Sequence, residues 1–362
     1  MDLRYIALYL PQFHPIKENN EWWGEGFTEW TNVTKAKPLF KGHQQPILPA
    51  DFGFYDLRLE QTRIEQAQMA KEYGIDGFCY YHYWFHGKKL IERPATEMLN
   101  SKKPDFPYCF CWANETWSRR WIGDEQEVLM KQEYSVEDDQ NHADYLCQFF
   151  SDERYIKVDG RPVFVIYRPG DLPNATQTID TFKSVALSKG LKEPFIVASN
   201  SHLWDNDQLL SYGFDAILNF RPQLGILPYA NNDEFVWGRL KRNLKKYKLF
   251  DGKMKVFDYQ EAVEIMQIIE PKNFDKVIPC AFVGWDNTAR RGAKGIVMLD
   301  NQPEYFEKEL LRITDKLKKS NSNSNLLFIN AWNEWAEGNK LEPDSKLGKE
   351  HLEVVKKIKC SL

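Results

Sequence analysis

Eight short β-like runs, spaced by stretches of helical period, set the tightest limit on what this chain can fold into. They are RYIALYL (4–10), GFCYYHYWF (77–85), PYCFCWA (107–113), PVFVIYR (162–168), FIVAS (195–199), DAILNF (215–220), VIPCAFVG (277–284) and LLFINAW (326–332). Between and after them, apolar and polar residues alternate with helical spacing at 59–73, 89–100, 138–152, 175–189, 205–212, 259–269, 302–319 and 349–359. Strands alternating with helices predict a parallel sheet, and eight such units predict an α/β fold of the (β/α)8 TIM-barrel class. An open doubly wound sheet is the rival, but no G-x-G-x-x-G turn follows the first strand. The length of 362 residues suits a barrel class that runs from about 200 to over 400 residues. We expect residues 1–362 to form a single barrel domain with long loop insertions after strand one (11–56) and strand six (222–276). SNSNSN (320–325) reads as a short loop before the last strand.

Charge and composition narrow the partners. A formal net charge of -4 leaves no electrostatic footprint for nucleic acid. The basic clusters Lys241–Lys248 and Lys316–Lys319 read as solvated helix faces, with at most peripheral membrane contact at the first. Aromatic residues make up 14% of the chain, with 12 Trp and 17 Tyr, many beside polar residues rather than inside apolar runs. Such rings stack on the C–H faces of sugars while amide and carboxylate groups take the hydroxyls. The six cysteines form no C-x-x-C pair and read as buried free thiols in a reducing compartment. The opening MDLRYIALYLPQFHP reads as a first strand rather than a signal peptide, and no stretch reaches the ~18 apolar residues of a spanning helix. A cytoplasmic location is the expectation.

In a (β/α)8 barrel the active site lies at the C-terminal ends of the strands. Strand one delivers Tyr9, Gln12 and His14; strand two delivers Tyr81, His82, Tyr83 and Trp84. WANETWSRRW after strand three supplies Trp112, Asn114, Glu115, Trp117 and Arg119. Later ends add Tyr167, Arg168, Asn200, His202, Arg221, Trp285, Asp286, Arg290, Arg291 and Asn333. The lining fits a polyhydroxylated ligand better than an apolar one.

Glu334 and Glu337, in FINAWNEWAEG (328–338), are the most specific part of that rim. Residues three apart face opposite sides of a strand, but a turn after the strand brings them together. Glycosidic cleavage needs one protonated and one ionised carboxyl, with environment separating their pKa values. Trp332 and Trp335 are placed to exclude water and raise one of them. The residues alone leave open that one glutamate is surface, or that both cap the next segment.

YLPQFHP (9–15), GFTEW (26–30), WANETW (112–117) and AWNEWAEGNKLEPD (331–344) resemble the WbsX-like proteins of bacterial polysaccharide gene clusters, a group similar to glycoside hydrolase family 99, the endo-α-mannosidases and endo-α-mannanases. The resemblance spans essentially the whole chain. It implies a TIM barrel with no metal or other cofactor, acting on an oligosaccharide or polysaccharide at an α-mannoside-like linkage. It further implies retention through a 1,2-anhydro sugar, with Glu334 deprotonating the 2-hydroxyl and Glu337 serving as acid and base. Tyr81, Trp112, Glu115 and Trp117 are the expected sugar contacts. Proteins resembling this group are commonly described as glycosyltransferases of O-antigen or capsule (lipopolysaccharide) biosynthesis, so transfer stands beside hydrolysis. A noncatalytic sugar-binding barrel is the third reading.

Two short motifs read as structural. Asp205 and Asp207 form a D-x-D that caps the helix after strand five rather than a metal–diphosphate site. His82 and His86 lie on or just after a strand, where four-residue spacing separates them by about 13 Å and speaks against a metal pair.

Overall fold

The structure is a computed structural model that describes residues 2–118, 127–227 and 254–362. Its central strands are β1 (Arg4–Tyr9), β2 (Gly77–Phe85), β3 (Tyr108–Trp112), β4 (Arg161–Ile166), β5 (Phe195–Ser199), β6 (Ala216–Asn219), β7 (Val277–Phe282) and β8 (Leu326–Asn330). Each pairs in parallel with its sequence neighbours, and β8 returns to β1 through Arg4↔Leu326 and Ala7↔Ile329. The pairing of β1 with β2 closes the ring, so this is a (β/α)8 barrel. All eight strands lie within two residues of the runs read from the sequence. Strands buried on both faces carry continuous apolar runs, which is why these segments stood out.

The connecting helices are α1 (Lys17–Trp23), α2 (Glu29–Lys35), α3 (Glu60–Glu72), α4 (Arg93–Ser101), α5 (Val136–Phe150), α6 (Ala175–Ser188), α7 (Asn206–Ser211), α8 (Tyr259–Ile268), α9 (Thr288–Arg291), α10 (Pro303–Lys319) and α11 (Glu350–Cys360). α1 and α2, inside the first insertion, and the single turn α9 were not foreseen. They are short, and their packing is set by the barrel mouth rather than by their own periodicity. Of the second insertion, residues 228–253 lie outside the described residues, and with them the cluster Lys241–Lys248. A two-stranded parallel ribbon, Lys255–Asp258 with Ile296–Leu299, flanks α8. At the end of α10, Lys318 and Lys319 are exposed, whereas Lys316 is drawn onto Glu270 at 2.8 Å.

Strand parity separates lumen from shell. Phe110 packs on Phe149 of α5 at 4.9 Å, and Phe164 on Phe182 of α6 at 5.4 Å. Even-numbered residues of β2, β3 and β4 therefore face the helices, and odd-numbered ones face the barrel axis. No helix among the described residues is long and apolar enough to cross a membrane.

Candidate active site

The chain leaves β8 at Asn330 and makes a tight hairpin: Asn333 and Glu334 pair antiparallel with Lys340 and Asn339. The 3-10 turn Trp335–Glu337 joins them. Side chains three apart eclipse in such a turn, so Glu334 and Glu337 project to one side. Gly338 ends the turn in the left-handed region, at φ 60°. A Cβ on it would meet Asp286 Cβ at 3.0 Å and the Asp286 amide nitrogen at 3.1 Å. That close approach lets the Asp286 N–H donate to the Glu337 carbonyl at 2.6 Å, clamping the exit of β7 onto the turn. Asp286 is itself fixed by the Gln45 amide at 2.7 Å, His43 Nε2 at 2.8 Å and the Thr288 N–H at 3.0 Å. Burial works against its ionisation, but these hydrogen bonds hold it below the usual carboxylate range.

One guanidinium joins the two glutamates. Arg290, on α9, donates from Nη2 to Glu334 Oε2 at 2.9 Å and from Nη1 to Glu337 Oε1 at 2.5 Å. Its Nε donates to Glu29 Oε1 at 2.7 Å. Burial alone would lower the arginine's pKa, but Glu29, Glu337 and Glu334 outweigh it and hold the charge firmly. For the glutamates the balance runs the other way. Burial raises Glu334 to about 8 despite the attraction of Arg290, and raises Glu337 for the same leading reason. Both shifts favour a protonated carboxyl in the pair, the form that acid–base work on a glycosidic bond uses. Their source differs from the expected one. The Trp335 indole points away, donating to Glu342 Oε2 at 2.6 Å, and Trp332 packs on Phe78 at 5.1 Å.

The pair opens onto a cavity of about 240 Å³. Of the residues named from the sequence, Gln12, Tyr81, Tyr83, Glu115, Trp117, Tyr167, Trp285, Arg290, Glu334 and Glu337 line it. Leu10, Trp23, Ala113 and Phe220 complete most of the wall. Gln12 Nε2 and Trp285 Nε1 are buried donors with no partner among the described residues. Buried donors of this kind normally find partners, so both suit ligand hydroxyls. Glu115 accepts from Arg168 Nη1 at 3.2 Å.

Arg119 lies outside the described residues, and the remaining expected contacts sit elsewhere, each for a physical reason. Tyr9, His82 and Trp112 have the outward parity. Tyr9 donates to Gln66 of α3 at 2.6 Å, His82 Nε2 lies 2.9 Å from His142 Nε2 of α5, and the Trp112 ring meets His142 at 4.7 Å. Asn114 bridges to the Arg168 carbonyl and amide, and Asn333 to the Leu10 carbonyl and amide, so both lace neighbouring strand ends together. His14 is buried in the first insertion without a hydrogen-bond partner on either ring nitrogen among the described residues, and burial lowers it to about 4. Arg221 is buried against Glu270 at 2.8 Å and Glu309 at 3.0 Å, an ion-pair network under the barrel wall. Asp205 caps α7 through the Gln208 N–H at 2.8 Å. Glu29 was missed because its motif, GFTEW, lies far from any strand end. The capping pattern of Thr28 and Thr31, which starts α2 at that residue, was the available signal.

Comparison with known proteins follows the same lines. The sequence profile of the family described as "Glycosyltransferase WbsX" matches residues 5–355. The chain is 39% identical over 352 residues to uncharacterized protein WxcX of Xanthomonas campestris pv. campestris strain B100, and 38% identical over the same length to WxcX of a second strain. These alignments cover 97% of the chain but 49% of each relative, so the chain spans about half the length of the curated relatives it matches. Among solved structures, the GH99 endo-alpha-mannosidase of Bacteroides thetaiotaomicron superposes with a TM-score of 0.59 at 12% identity, over 99% of this chain and 97% of that one. A second structure, titled glycoside hydrolase-like protein, gives a TM-score of 0.62 at 11% identity over 99% and 94%. At such identities the likeness is one of fold.

Proposed function

The chain belongs to the WbsX glycosyltransferase family, and on that footing we propose that it is a carbohydrate-active enzyme that cleaves or transfers an α-mannoside-like linkage with retention. The observation that carries this reading is the convergence of Glu334 and Glu337 on one guanidinium at the wall of an aromatic-lined cavity. At about 240 Å³ the cavity is somewhat below drug-sized pockets of roughly 300–1,000 Å³, a scale suited to one sugar ring with its neighbours outside.

In this mechanism Glu334 takes the proton of the sugar's 2-hydroxyl while O2 attacks C1. The bond from C1 to the leaving oxygen breaks, and Glu337 gives that oxygen its proton. The 1,2-anhydro sugar is then opened at C1 by water or an acceptor hydroxyl that Glu337 deprotonates, and Glu334 returns its proton to O2. The arrangement needs Glu334 ionised once substrate is in place. A 2-hydroxyl donating to it favours that form and leaves the retained proton on Glu337. Arg290 engages Oε2 of Glu334 and Oε1 of Glu337, leaving the other oxygen of each for the substrate. Tyr81, Trp117, Trp285 and Gln12 are the proposed sugar contacts.

Wild type, Glu334→Gln and Glu337→Gln should be compared on mannose-type oligosaccharides and bacterial polysaccharide fragments. Turnover should fall by roughly 10²-fold or more in each variant. Undiminished turnover in either one removes the mechanism. Transfer rather than hydrolysis is favoured by the family description itself, and polysaccharide assembly is the corresponding role. Release of nucleoside diphosphate from a sugar nucleotide would support that branch. Unpaired cysteines, five of the six buried, support a cytoplasmic setting.

A further inference from the structure

Glu29 is fully buried, does not line the cavity, and belongs to a motif that the proposed chemistry leaves unused. Its carboxylate nonetheless reaches the same guanidinium as both candidate catalytic acids. The three nitrogens of Arg290 each serve a different glutamate: Nε serves Glu29 at 2.7 Å, Nη1 Glu337 at 2.5 Å and Nη2 Glu334 at 2.9 Å. A planar guanidinium donates along fixed directions, so the first contact fixes the plane in which the other two are made. α2, which carries Glu29, packs against both the 335–337 turn and α9, and Glu29's own N–H donates to the Gln12 carbonyl at 3.0 Å. The three acids thus come from the first insertion and the exit of β8, and the arginine from the exit of β7.

We propose that Glu29 and Arg290 are positioning residues for Glu334 and Glu337. Arg290 sets the orientation of both carboxyls, while Glu29 locks the fork and makes the cluster three acids to one base, so that the pair keeps a proton. This rests on the reading of Glu334 and Glu337 as the acid–base pair. With all groups ionised, the cluster would carry two uncompensated negative charges in a buried site, and taking up one proton halves that excess. Glu29's charge raises both carboxyls, behind burial for Glu337 and behind burial and Glu337 for Glu334. Among the described residues, the other ionisable groups facing the pair are Tyr81 and Tyr83 of β2, Glu115 beyond β3 and Tyr167 beyond β4. Glu115 is matched by Arg168, and burial keeps the three tyrosines neutral. Glu29 is therefore the one further carboxylate held on the same guanidinium among the described residues.

The test is a carboxyl titration of the full chain labelled with [δ-¹³C]glutamate and followed by NMR, with Glu334→Gln and Glu337→Gln identifying the two signals. Glu29→Gln should lower the pH at which the pair releases its proton by about one unit or more. Arg290→Lys keeps the charge but not the three-way fork. It should raise one of the two carboxyls by about one unit as that group loses its cation. Opposite shifts support the proposal, because a general loosening of the site would move both variants the same way. An unchanged titration in Glu29→Gln, or an upward shift, overturns it. If that variant does not fold, an unchanged titration in Arg290→Lys does so alone. The readout needs no substrate, so a failure here leaves the glycosidic reading standing, and a failure to turn over sugars leaves the titration result intact.

Discussion

Glu334 and Glu337 were legible as a pair because two carboxylates three apart beside tryptophans are hard to explain as surface. Their environment was not legible. The indoles expected to dry them face Glu342 and Phe78, and burial comes from the enclosing walls instead. The raised pKa of Glu334 has a cost with a definite sign. Its folded value of about 8 lies above the ordinary 4.5, so the native state holds a proton that the unfolded chain releases. That contribution is full below the unfolded value and is lost as pH rises through the folded one. Denaturant unfolding should therefore show Glu334→Gln gaining on wild type from about pH 5 to about pH 9; a constant difference would mean that Glu334 titrates normally. Trp285 offers a cleaner test of ligand contact. Trp285→Phe keeps an aromatic face, though a smaller one, and removes the unpartnered donor, and should weaken glycan binding by about 0.5–1.5 kcal/mol in calorimetry. Unchanged affinity would take Trp285 out of the contact set.

The strands were legible to within two residues, yet seven of the twelve proposed contacts lie off the cavity, and for Tyr9, His82 and Trp112 the reason is parity. Polar and aromatic residues crowd every strand end in the sequence, whereas alternate residues face opposite sides. Tyr81 points into the lumen beside Cys111, while His82 and Trp112, the next register pair, face α5 and α6. Applying the two-residue period from Tyr81 would have excluded both. α1 and α2 were beyond reach, because seven-residue helices have little periodicity to detect. The hairpin after β8 depends on Gly338, where a side chain is doubly disfavoured by positive φ and by the Asp286 backbone. Gly338→Ala should cost about 1–2 kcal/mol from the backbone conformation alone and reduce turnover by displacing Glu337. Thermal unfolding read beside activity checks this, and full activity would show that the Asp286 clamp is dispensable.

For the whole molecule, the alternation of eight strands and their helices was enough to name the barrel, since that pattern has few closed solutions. What the pattern did not distinguish was an arginine that binds from one that supports. Arg221 follows β6, where a ligand contact is expected, but it turns into a network with Glu270, Glu309 and Arg312. Arg221→Met would leave buried carboxylates short of a cation and should cost about 3–5 kcal/mol of stability, with glycan affinity unchanged; a variant of wild-type stability and weakened binding would restore it to the site.

The central claim is that Glu334 and Glu337 act together on one glycosidic bond with retention. Its most direct test is ¹H NMR of the anomeric signals as wild type, Glu334→Gln and Glu337→Gln turn over an α-mannosyl oligosaccharide. The account predicts that the first product formed is α-configured, and that both variants slow by roughly 10²-fold or more. A β-configured first product, or either variant working at the wild-type rate, would contradict it.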